Sequence, residues 1–207
     1  MAQRRPPTSH EERLAALYRP RLQEYGAGPD AQGWPSSFEQ KVRFAALAGI
    51  GIGPTDSVLD VGCGLGDFVD HLAEQDFQGS YTGIDLLPEM IEGARAREHP
   101  PTIGTRFEVA DLAQDPQRWQ ADIVIASGIF VVMTEAEAHQ TIATLFQACR
   151  RAVAFTSLSR WDPTENIEGY LRLDPAETLN YCRTLTPRVL LRHEYFLTDF
   201  TMYLFRD

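Results

Sequence analysis

From residue 57 onward, short apolar runs alternate with stretches whose apolar residues recur at helical spacing. SVLDV (57–61), SYTGID (80–85), TRFEVA (105–110), ADIVIAS (121–127) and AVAFTSL (152–158) read as five strands. Helices are predicted between them at 65–75, 88–98 and 135–149, the last with Thr134 as cap and Glu137 as its third-position acid. Strands separated by helices imply right-handed crossovers and a parallel sheet covered on both faces. The end of the chain differs. RVLLRHEYF (188–196) and FTMYLFR (200–206) are joined by Leu197, Thr198 and Asp199, too short for a crossover, so they should pair as an antiparallel hairpin. The expected fold is α/β: a doubly wound, mostly parallel seven-stranded sheet with a C-terminal antiparallel hairpin and helices on both faces.

The flanking segments carry their own signals. Residues 1–8, rich in Arg and Pro, read as a disordered lead. Residues 9–25 place Leu14, Leu17, Tyr18 and Leu22 at helical spacing, with Pro20 expected to break or kink the helix. A Gly/Pro/Asp-rich loop (26–35) follows, and Ser36 with Glu39 forms a capping box for a helix through Ala48. After an irregular stretch (159–173), Asp174-Pro175-Ala176-Glu177 starts the last helix. Residues 1–35 are thus expected to be a lead and helical appendage, and 36–207 a single domain.

Composition narrows the partners. The chain has 207 residues, 43% hydrophobic, enough for one core, and a net charge of -10 that disfavours a long phosphate-tracking surface. No nucleic-acid partner is expected. Cys63, Cys149 and Cys182 form neither a disulfide framework nor a metal spacing, which suits a reducing compartment. No run approaches the ~20 apolar residues of a spanning helix or the pattern of a signal peptide. A cytoplasmic location, no membrane association and no bound metal are the expectations.

The most informative segment is Val58-Leu59-Asp60-Val61-Gly62-Cys63-Gly64-Leu65-Gly66-Asp67-Phe68, an apolar strand running into a glycine-rich turn and a helix. Glycines let the chain turn sharply and let a ligand approach the backbone. A dinucleotide fingerprint wants G-x-G-x-x-G, but Asp67 stands where the third glycine belongs. That carboxylate would repel a pyrophosphate and costs a cationic ligand nothing. Asp60, at the strand end, is placed to accept from a ligand ammonium. Asp85, 25 residues later at the end of GID, is placed to take two ribose hydroxyls; its alternative role is a helix cap before Pro88.

VLDVGCGLGDF resembles the first motif of the class I S-adenosylmethionine (SAM)-dependent methyltransferases, and the order of elements over about residues 37 to 207 resembles that family's seven-strand sheet. The resemblance implies SAM as cofactor, held by Asp60, Gly62, Cys63 and Gly64, with Asp85 and Leu86 at the ribose. It implies that Asp111 accepts from the adenine amine, Leu112 packs on the base and Ser127 adds a polar contact. Arg43 would pair with the methionine carboxylate, as basic residues ahead of the glycine motif do in some relatives. A solvated loop aspartate and a surface arginine are the plain alternatives for Asp111 and Arg43. The segment Ile125 to Phe130 departs from the N/D-P-P-Y/F motif of amino-directed nucleic-acid and protein-glutamine methylating relatives.

Methyl transfer asks mainly for alignment and exclusion of water, and a base is optional. Strand alternation would put His193 and Tyr195 on one face and Glu194 on the other. His193 is the candidate base, its alternative being a structural strand histidine. Trp34, Phe130, Trp161 and Tyr170 are candidate acceptor walls. The implied function is methyl transfer to an oxygen or nitrogen of a small molecule by a monomer or homodimer. Alternatives are a SAM-binding protein without transfer activity and a protein or nucleic-acid methyltransferase. A nicotinamide oxidoreductase is disfavoured by Asp67 and by the hairpin.

Overall fold

Strands buried on both faces of a sheet read as continuous apolar runs, because neither face meets water. β4 (Ala121–Ser127) is the clearest case, with Ile123, Val124, Ile125 and Ala126 all buried. In the computed structural model, which describes residues 9–26, 28–34 and 36–206, it lies at the centre of one seven-stranded sheet. The other strands are β1 (Ser57–Val61), β2 (Ser80–Asp85), β3 (Gly104–Val109), β5 (Cys149–Leu158), β6 (Val189–Arg192) and β7 (Asp199–Phe205). Their order is β3-β2-β1-β4-β5-β7-β6. Strands β1 to β5 pair in parallel, and β7 runs antiparallel to both β5 and β6. The winding direction changes between β1 and β4, which opens a crevice at their carboxyl ends.

Side-chain alternation along the strands feeds two cores. Val58, Ile123, Ile125, Ala152 and Ala154 pack with α2 (Ser37–Ala48), α3 (Phe68–Ala73) and α4 (Pro88–Ala96) on one face. Leu59, Val124, Ala126, Val153 and Phe155 pack with α5 (Glu135–Ala148) and α6 (Pro175–Leu185) on the other. Between the two layers, helices cover both sides of the sheet, as the strand-helix alternation predicts. No helix among the described residues is long and apolar enough to cross a membrane.

Several local expectations are corrected. The first helix, α1 (His10–Tyr25), runs through Pro20 and does not stop there. Pro20 and Ala16 are both exposed, so water can take the carbonyl that the proline leaves unpaired. The box at α2 is only half formed: Ser36 accepts from the Glu39 amide, while the Glu39 carboxylate turns to Arg43, 3.2 Å away. α3 begins at Phe68, not at residue 65, because Gly64 (φ 54°) and Gly66 (φ 77°) hold left-handed turn conformations. β5 begins at Cys149, its start hidden in the sequence by exposed Arg150 and Arg151. β6 ends at Arg192, so His193, Glu194 and Tyr195 lie outside the strand and its alternation. The expected disordered lead, residues 1–8, lies outside the described residues.

Candidate cofactor and acceptor site

The turns that leave β1 to β5 line one cavity of about 570 Å³. Gly62 and Gly64 follow β1, Asp85 and Leu86 follow β2, Asp111 and Leu112 follow β3, and Ser127 ends β4. Sequence analysis singled out all seven, and the fold brings them to one wall. The opposite wall comes from α1, whose His10, Leu14, Tyr18 and Arg21 stand on one helical face, from Trp34, and from the segment between β5 and α6.

The glycine turn is held by its own amides. Gly62 and Cys63 donate to the Ile84 carbonyl at 2.8 and 3.1 Å, and Gly64 donates to Asp85 Oδ2 at 3.1 Å. Gly62 has φ 72°, and a Cβ there would stand 2.4 Å from Ile129 Cγ2, so both backbone and packing require glycine. Asp85 is also a cap: its Oδ1 accepts from the Leu87 amide at 2.9 Å. Burial pushes its pKa up, and the amides of Leu87 and Gly64 offset part of that rise. The two readings of Asp85 are therefore compatible, since a carboxylate oxygen accepts more than one hydrogen bond.

Asp111 likewise caps the 3-10 turn Leu112–Gln114 through the Ala113 amide at 2.9 Å while facing the cavity. Leu112 is buried behind it. Ser127 Oγ lies 3.1 Å from Thr156 Oγ1, which also accepts from the Gly128 amide at 3.3 Å. Thr156 is buried on β5 and lines the cavity, a position that carries no sequence signal of its own.

Asp60 and Cys63 do not line the cavity. Asp60 is buried behind the turn, where Tyr81 Oη donates to its Oδ2 at 2.6 Å, and burial pushes its pKa up to about 7. Cys63 is buried too, and burial holds its thiol protonated.

Arg43 reaches the cavity with its charge already engaged. Its Nε and Nη2 donate to Asp199 Oδ1 and Oδ2 at 2.9 and 2.6 Å, and Nη1 pairs with Glu39. Its guanidinium carbon lies 5.2 Å from the Trp34 ring centre and 5.0 Å from that of Phe196. Trp34 also packs over Gly128, where a Cβ would meet its ring at 3.3 Å, so it both lines the cavity and anchors the loop before α2.

Of the expected acceptor walls, Trp34 and Tyr170 line the cavity; Phe130 and Trp161 do not. Phe130 is 1% exposed and packs edge-on against Phe155 in the core, because the chain after Gly128 folds back toward α5. Trp161 is half-exposed and leans on the His193 ring. His193 is off the wall as well: beyond the end of β6 its Nε2 lies 2.7 Å from Ser159 Oγ.

Sequence reasoning missed Gln32 and Arg21. Gln32 Oε1 accepts from the Leu65 amide at 3.3 Å, and Gln32 with Gln40 and Arg97 surrounds the Asp67 carboxylate. The only hint was the carboxylate at Asp67, which had to find partners once partly buried.

A family model described as a methyltransferase domain matches residues 58–152. A Mycobacterium tuberculosis protein named as a methyltransferase is 33% identical over 155 residues, which cover 70% of this chain and 90% of that one. Magnesium protoporphyrin IX methyltransferase from Synechocystis PCC 6803 with bound SAM superposes with a TM-score of 0.67 at 17% identity, over 98% of this chain and 100% of that one. Human N-acetylserotonin methyltransferase in complex with SAM gives 0.69 at 16% identity, over 97% and 60%. At those identities the two structures speak for the fold, and the bacterial relative carries the family. With the glycine turn, the wall of strand-end residues and the terminal antiparallel strands, the chain belongs to the class I SAM-dependent methyltransferases.

Proposed function

We propose that this methyltransferase transfers the methyl group of SAM to an oxygen or nitrogen of a small molecule held in the same cavity. The observation that carries this reading is the convergence of Asp85, Asp111, Leu112 and Ser127 on one wall beside the glycine turn. These residues fit a nucleoside with a cationic arm: acids at the ribose and base positions and an apolar seat for the ring. SAM, when bound, supplies the activated methyl group.

The chain's own residues orient and shield. Asp85 accepts from the ribose hydroxyls, Asp111 from the adenine amine, and Leu112 packs on the base. Trp34, Tyr170 and the end of β5 bound the acceptor's share of the cavity. A volume of about 570 Å³ suits small-molecule ligands. In this reading residues 36–206 carry the cofactor wall and α1 roofs it.

The test is isothermal titration of SAM and S-adenosylhomocysteine (SAH) on wild type and Asp85→Ala, followed by a screen of small oxygen and nitrogen nucleophiles for SAH release. Losing two charge-assisted hydrogen bonds should cost about tenfold or more in affinity. Unchanged affinity in Asp85→Ala would remove that residue from the site.

A further inference from the structure

Three guanidinium groups line the cavity, and two of them are neutralised. Arg43 is paired with Asp199 and Glu39, and Arg172 with Asp162 at 2.8 Å. Arg21 has no carboxylate partner among the described residues. Its Nη2 donates to Tyr170 Oη at 3.2 Å, which leaves the phenol's own hydrogen to donate elsewhere. Gly33, with φ 80°, seats the group: a Cβ at that position would stand 2.2 Å from Arg21 Nη1. A guanidinium and a free phenol hydroxyl side by side in a cavity wall form a donor set for an anion.

The cavity wall carries charge of both signs. Among the described lining residues the unpaired acids are Asp85 and Asp111, at the ends of β2 and β3, and the exposed Glu165. His10, at the start of α1, feels the Asp111 charge, and Arg21, 11 residues farther along the helix, shares the surroundings of the Tyr18 hydroxyl with Tyr170 and Asp85. SAM carries a net positive charge, which the two acids match and an unneutralised arginine opposes. The arginine is matched if the second ligand is an anion. Tyr170 belongs to the segment between β5 and α6, which the reading above assigns to the acceptor.

We propose that Arg21 and Tyr170 bind an anionic group of the methyl acceptor, a carboxylate in the first instance. The acceptor class is then small organic acids; this inference rests on the methyltransferase reading above. The acid's charge would also draw it toward the cofactor's sulfonium.

The experiment measures ligand binding to the full chain saturated with SAH, using benzoate and hexanoate against benzamide and hexanamide. The acids are expected to bind about tenfold more tightly than their amides. Arg21→Gln should abolish that preference, Tyr170→Phe should weaken it severalfold, and Arg21→Lys should keep part of it. SAH affinity should stay within about twofold in all three variants. Equal binding of acid and amide by wild type, or a preference that survives Arg21→Gln, overturns the proposal. If Arg21→Gln instead lowers SAH affinity about tenfold, the pair serves the cofactor's own carboxylate, and the proposal fails while the methyltransferase reading stands. If wild type does not bind SAH, that reading falls and takes this inference with it.

Discussion

Replacing Asp199 by Asn removes a charge without changing shape, and the consequence can be worked from the geometry. Asp199 and Arg43 are 5% and 6% exposed in their side chains and meet through two hydrogen bonds, at 2.9 and 2.6 Å. Removing one partner of a buried pair costs about 3–5 kcal/mol, because the other charge is left desolvated and unpaired. Arg43 keeps Glu39 at 3.2 Å, itself 32% exposed, which returns part of that loss. The expected cost is about 2–3 kcal/mol, or a fall in Tm of roughly 5–10 °C for a chain of this size. Urea unfolding of wild type, Asp199→Asn, Arg43→Met and the double variant forms a cycle, with an expected coupling of at least about 1.5 kcal/mol. A loss below about 0.5 kcal/mol, or additive single effects, would refute the claim that this pair ties α2 to the start of β7.

Three other outcomes follow from the same geometry. Asp60 has a folded pKa near 7, against about 3.9 unfolded. The native state therefore holds the extra proton between those values, and the contribution of Asp60 to stability falls as pH rises from about 4 to 7, by roughly 3–5 kcal/mol, then levels off. Asp60→Asn should flatten that slope in urea titrations at stepped pH, and parallel curves for the two proteins would contradict it. Gly66→Ala puts a Cβ 2.8 Å from the Phe107 ring at φ 77° and should cost about 2–4 kcal/mol in chemical denaturation; a loss under about 1 would mean the ring yields freely. Asp85→Ala should weaken SAH binding about tenfold and also lower Tm without ligand, because the Leu87 and Gly64 amides lose their acceptor; a calorimetric comparison separates the two effects.

How much was legible depended on whether a signal was local. β1, β2 and β4 are found at their predicted bounds because each is an apolar run framed by turn residues. The caps at Thr134 and Asp174 were readable for the same reason, each donor and acceptor lying within three residues. Pro20 misled because its penalty is a missing hydrogen bond, and exposure, which the local sequence does not encode, removes most of that cost. Arg43 looked available in sequence; its partner Asp199 lies 156 positions away. His193 and Tyr195 were assigned faces of a strand that in fact ends at Arg192.

The sequence by itself determined the sheet, its parallel winding and terminal hairpin, and the glycine turn with acids at successive strand ends. Each of these rests on periodicity, chain stereochemistry or a short motif, which act over a few residues. Only the tertiary structure decided which of those acids face the cavity: Asp85 and Asp111 do, while Asp60 turns behind the wall to Tyr81. It also decided that α1 roofs the cavity, that Arg43 is neutralised and that Arg21 is not. Those outcomes are set by contacts between segments far apart in the chain, where burial and charge pairing, not propensity, select the arrangement.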